Sequence, residues 1–102
     1  MWCQEAGFMT ASCRIEVEPR HAPSGVPQYL AVMSVIERGT VLRPLVFADG
    51  SRAEIPGETP SGALNAAIAF LSDQFGAITE YSHNCMEPVT GAEAGDPLII
   101  GA

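Results

Sequence analysis

The chain has 102 residues, with 12 acidic side chains against five basic ones and a formal net charge of −7. Hydrophobic residues make up 47% and charged residues 17%, which is too apolar for a disordered acidic tail and suits one compact core. The basic residues are all arginine (Arg14, Arg20, Arg38, Arg43, Arg52) and lysine is absent, so no cationic track is present to neutralise phosphates, and direct nucleic-acid binding is not expected.

Residues 1–10 show no clear period and read as a loose arm without the basic flank and apolar run of a secretory signal. Residues 12–18 alternate Cys13, Ile15 and Val17 with Arg14, Glu16 and Glu18, the period of a strand with one wet face. Three prolines and a glycine make 19–27 a connecting loop. Residues 28–37 are apolar at both alternating sets, as in a central strand buried on both faces. A turn at Arg38-Gly39 leads into a strand over 40–48, where Pro44 marks a bulge or an outward-facing edge position. Asp49-Gly50 is a two-residue hairpin signal, and 51–55 should return as a short strand.

The period then changes. Thr59 suits an N-cap, Pro60 the first helical position and Gly76 the position after the last turn, which predicts a helix over 60–75. Leu64, Ile68, Leu71 and Phe75 form its main stripe. Ala63, Ala66, Ala67 and Phe70 form a second stripe of mostly small residues, a candidate dimer contact. Residues 77–83 alternate weakly. Beyond them Pro88, Gly91, Gly95, Pro97 and Gly101 predict a tail, with Leu98-Ile99-Ile100 able to add an edge strand. The expectation is an α+β domain over 1–86 with a tail over 87–102. It comprises a mainly antiparallel sheet of four to five strands and one long helix on one face.

No stretch reaches the roughly 18 apolar residues of a membrane span. Cys3, Cys13 and Cys85 are odd in number and form no CxxC pair, so buried or idle thiols in a reducing cytoplasm are expected. The lysine-free, Ala/Gly/Pro-rich composition suits a GC-rich bacterial or phage genome.

Three constellations could carry chemistry. In His83-Asn84-Cys85 an imidazole two residues from a thiol could generate a nucleophile, but no oxyanion donor or orienting group accompanies it. Cys3, Cys13, His83 and Cys85 have zinc-ligand chemistry without zinc-knuckle spacing. Glu16 and Glu18, with Glu54, Glu58 and Asp49 further along, lie beside arginines as solvated strand residues do, rather than as a desolvated acid–base pair. The segment 56–62 has the glycines of a phosphate loop but contains Glu58 and no lysine. No catalytic residue, metal site or cofactor is therefore assigned, and the chain is not expected to be an enzyme.

Surface charge remains. A field of this sign steers association with basic partners, which favours a small acidic, non-catalytic protein-interaction module. One form is an inhibitor engaging the basic, nucleic-acid-binding surface of a protein partner, with Glu16, Glu18 and Glu54 as its contact set. Gly57-Glu58-Thr59 followed by Ala63-Leu64 and Ala67, after a strand hairpin, also resembles the helix start of HicB-like antitoxin domains over about residues 56–71. That resemblance implies a strand–strand–strand–helix order and binding of a small basic toxin.

Overall fold

The computed structural model describes residues 2–21, 23, 25, 27–37, 41–84 and 93–100, with positions 2, 21, 27, 81–84, 93 and 94 described by backbone alone. The fold is α+β. Its elements run β1 (Trp2–Phe8), β2 (Ser12–His21), β3 (Pro27–Glu37), β4 (Val41–Phe47), β5 (Glu54–Gly57), α1 (Pro60–Phe75), β6 (Ile78–Asn84), β7 (Glu93–Ala94) and β8 (Leu98–Ile100). The main path of the sheet is β6-β1-β2-β3-β4-β7, with β5 attached to β3 and β8 to β4. All pairings are antiparallel except those of β7 and β8 with β4.

This is more strands than the four to five expected. Part of the excess is β1, formed by residues read as a loose arm, which pairs with β2 from Trp2↔Val17 to Gly7↔Ser12. Its core-facing side carries Gln4, Ala6 and Phe8, all buried, and a buried glutamine and a small alanine hide the strand period. The expected loop over 19–27 is also shorter. Strands β2 and β3 stay in register from Ser12↔Ile36 to His21↔Pro27. Pro19 is tolerated because described β1 ends at Trp2↔Val17, leaving no ladder on that flank for its missing N–H.

Strand β3 is central, as its apolar run predicts. One flank pairs with β2 throughout, and the other is shared, with Tyr29–Val32 facing β5 and Ser34–Glu37 facing β4. The β4 ladder to β3 stops at Ser34↔Pro44, where proline cannot donate. Past that point β4 pairs with β8 at Leu45–Phe47. The Asp49 hairpin is a three-residue loop rather than a two-residue one. Phe47 N–H donates to Ser51 O, Gly50 N–H donates to Phe47 O, and Gly50 adopts φ +88°, the left-handed value that glycine supplies in such loops. The Asp49 carboxylate accepts from both Ser51 N–H (2.9 Å) and Ser51 Oγ (2.6 Å).

Helix α1 spans the predicted residues. Thr59 Oγ1 accepts from Gly62 N–H, Pro60 opens the first turn, and Gly76 N–H donates to Ser72 O at φ +89°. Ala63, Leu64, Ala67 and Leu71 are its buried residues, while Ile68 and Phe75 pack half-buried at the margin. They cover Cys13, Ile15 and Val17 of β2 and Ala31, Met33 and Val35 of β3 in a single core. The small-residue stripe is therefore used inside the chain. Ala63 and Ala67 have no exposure, Phe70 stacks edge-on against Phe47, and only Ala66 and Phe70 keep partial exposure. This placement removes Ala63 and Ala67 from the dimer contact proposed for Ala63, Ala66, Ala67 and Phe70.

The closest approach is at Gly57. A Cβ built there would lie 2.4 Å from Ala63 N and 2.7 Å from Ala63 Cα, and backbone cannot yield as a side chain does. Gly57→Ala should destabilise the fold by about 3 kcal/mol, the upper range for overpacking, as read by urea denaturation. A loss below about 0.5 kcal/mol would show that β5 and α1 separate freely.

Asp49 offers a pH test. Its Ser51 hydrogen bonds hold the carboxyl below its ordinary value. The stabilisation is thus complete above the unfolded pKa and is lost as pH falls through the folded one. An NMR titration should find Asp49 with a depressed midpoint that rises in Ser51→Ala.

Candidate functional site

The sheet face opposite α1 carries the charged side of β2, with Arg14, Glu16 and Glu18 pointing one way along the strand. Glu54 joins them through β5, opposite Val32, while Glu16 also lies opposite Val32 on the other flank of β3. Glu16, Glu18 and Glu54 are thus brought to one face, each beside an arginine of the same chain. Arg14 Nε lies 3.0 Å from Glu16 Oε1 and Arg52 Nε 2.9 Å from Glu54 Oε1. Arg52 Nη2 is 3.7 Å from Glu18 Oε2, and Arg20 Nη1 is 3.9 Å from Glu54 Oε2. A fourth arginine, Arg43, pairs with Glu37 at 3.1 Å.

Arg14 is the unusual member, at 5% exposure. Its Nε contact with Glu16 lacks hydrogen-bond alignment, and Nη1 has no hydrogen-bond partner. Its attraction to Glu16 is therefore Coulombic rather than directional, and the nearby carboxylate offsets part of the cost of burying the charge.

The cysteines divide. Cys13 is a free thiol with no exposure, and burial pushes its pKa up to about 12, which suppresses the thiolate needed for nucleophilic or metal chemistry. Cys3 is disulfide-bonded, so it cannot supply a zinc thiolate, and the expectation of buried or idle thiols is corrected at this position. Cys85 and the His83 side chain lie outside the described residues, as does their reading as a nucleophilic pair. No cluster of three metal-ligating side chains occurs among the described residues. A disulfide uses two of the three cysteines, so the denatured, unreduced chain should present one thiol to a maleimide. The native chain should present almost none. Two or three thiols in the denatured chain would exclude the bond at Cys3.

A second acidic locus lies at the other edge of the sheet. Glu5, Ala6, Gly7, Ser12, Cys13, Ile36 and Glu80 line an open cavity of about 130 Å³. An added Cβ at Gly7 would meet Glu80 Cβ at 3.3 Å and Thr79 Oγ1 at 3.4 Å, so glycine permits the close approach of β6. Beside it, Met9 is 70% and Ile78 38% exposed. Sequence reading passed over this locus because Met9 and Ile78, like Glu5 and Glu80, lie far apart along the chain. Its one local signal was the weak alternation of Ile78 and Glu80 against Thr79 and Tyr81, a pair that the register shift between Gly7 and Phe8 then splits between two faces.

Comparison with protein-family models, characterised proteins and solved structures gives no match. No helix among the described residues is long and apolar enough to cross a membrane.

Proposed function

We propose that the protein is an acidic, non-catalytic interaction module that engages the basic surface of a protein partner. The distribution of charge supports this reading. The four described arginine side chains are held by Glu16, Glu18, Glu37 and Glu54. The surplus negative charge therefore falls on other carboxylates, with Glu58, Asp73, Glu80 and Asp96 exposed. The contact set moves accordingly: Glu16, Glu18 and Glu54 hold the second sheet face together, and Glu58, Asp73 and Glu80 face the partner. An inhibitor filling a nucleic-acid-binding groove is one concrete form. The HicB-like antitoxin reading is a narrower one; it implies three strands before the helix, whereas five precede α1 here. Cytoplasmic residence, expected from cysteine number, stays part of this reading, with the disulfide at Cys3 as the observation that runs against it.

The test is calorimetric titration with an arginine-rich dodecapeptide across a salt series. Affinity should fall with rising ionic strength. At low salt, Glu58→Gln, Asp73→Asn and Glu80→Gln together should weaken it about fivefold or more, since each exposed pair carries up to about 1 kcal/mol. Neutralising Glu16, Glu18 and Glu54 should chiefly lower thermal stability. The absence of salt-dependent binding at low ionic strength would overturn the reading.

A further inference from the structure

Three independent features meet at β6. This seven-residue strand is the outermost of the main sheet path, and among the described residues nothing pairs with its outer side. Its backbone groups there are open to a further strand. The exposed apolar side chains Met9 and Ile78 sit at its start, where Met9 N–H donates to Ala77 O and Phe8 pairs with Ile78. Glu80 follows, paired with Gly7, and lines the cavity that also contains Glu5 and Ser12. None of the described arginine ion pairs reaches Glu80.

We infer that the outer edge of β6 binds an extended segment of the partner by strand addition, and that this segment alternates apolar and basic residues. The inference rests on the basic-partner reading above and names the place and form of contact. Phe8 belongs to the core beneath α1 whereas Gly7 borders the cavity on the opposite side, so Ile78 and Glu80 mark opposite faces of the same edge. A strand laid along it presents alternate side chains to those two faces. Apolar residues then meet Met9 and Ile78, and arginine or lysine reaches Glu80 and the cavity. A second copy of this chain fits poorly. Twofold antiparallel pairing about Tyr81 would make Glu80 and its mate diagonal neighbours on one face, where like charges repel. Register shifts between Gln4 and Ala6 and between Gly7 and Phe8 twist the edge and restrict the added strand to a short segment.

The experiment is an NMR titration of the whole chain with an alternating Val-Arg octapeptide at low salt. Amide shifts should centre on Met9, Ile78, Thr79 and Glu80. N-methylating every second peptide residue should weaken binding at least about tenfold by removing ladder hydrogen bonds. Glu80→Gln should weaken it about threefold to fivefold, as for an exposed ion pair, while Asp96→Asn, an exposed carboxylate between β7 and β8 at the other end of the sheet path, leaves this peptide's affinity unchanged. Binding that maps to α1, or that ignores both N-methylation and Glu80→Gln, overturns the edge site and leaves the acidic-module reading intact. No binding of either the octapeptide or the arginine-rich dodecapeptide overturns both.

Discussion

Gly57 and Ala63 meet backbone to backbone, and much of the core follows from how closely they do so. The chain leaves β5 at Gly57 and starts α1 at Pro60, with the Thr59 cap between them. The helix is therefore placed by the strand before it, without an intervening loop to absorb error. Because β5 is fixed on β3 through Tyr29↔Gly57 and its neighbours, the start of the helix is fixed over β3 as well. Ala63 and Ala67 then fit the narrow seam, and Leu64 and Leu71 reach the core shared with Ile15 and Met33. A larger side chain at Gly57 would lift the helix and open gaps beneath it, where interiors tolerate few voids.

Strand β3 distributes this constraint through the sheet. Its shared flank gives the hairpin of β4 and β5 two separate footholds, and Pro44 ends the first. Beyond Pro44, β4 meets the hairpin return at Val46↔Arg52 and also pairs with β8, whose Ile100 enters the core at 6% exposure. The opposite face of β2 and β3 has no helix over it among the described residues. Its carboxylates are matched by arginines of the same chain, so the most acidic stretch of strand sequence is close to neutral in place. Surface charge available to a partner lies elsewhere, and linear sequence cannot separate the two populations.

The chemistry proposed from residue types meets similar limits. Cys13 has the residue type of a nucleophile but the environment of a core side chain, and its burial disfavours the charged form. Cys3 resembles a spare thiol in sequence, yet it is covalently committed in the fold. The edge at β6 shows the converse case. Residues with no motif value individually (a methionine, an isoleucine, a glycine and two glutamates) become a coherent surface once β1 and β6 pair.

The elements most legible in sequence were those whose signals are local. The helix has a cap, a proline, a stripe and a terminal glycine within one stretch of chain, and α1 occupies Pro60–Phe75. The alternation of β2 and the double-sided run of β3 likewise state their periods directly. Strand β1 was hidden because Gln4 and Ala6 fill buried positions usually held by larger apolar residues. The hairpin at Asp49 was visible as a turn, but its third residue depends on the bonds from Phe47 to Gly50 and Ser51. The sequence alone therefore determined the α+β class, the helix and the central strand, since propensity, capping and periodicity act within a few residues. Only the tertiary structure decided which carboxylates are neutralised, which small residues are spent in the core and which edge stays open. Those outcomes depend on pairings across tens of residues, where register rather than residue type sets the neighbour.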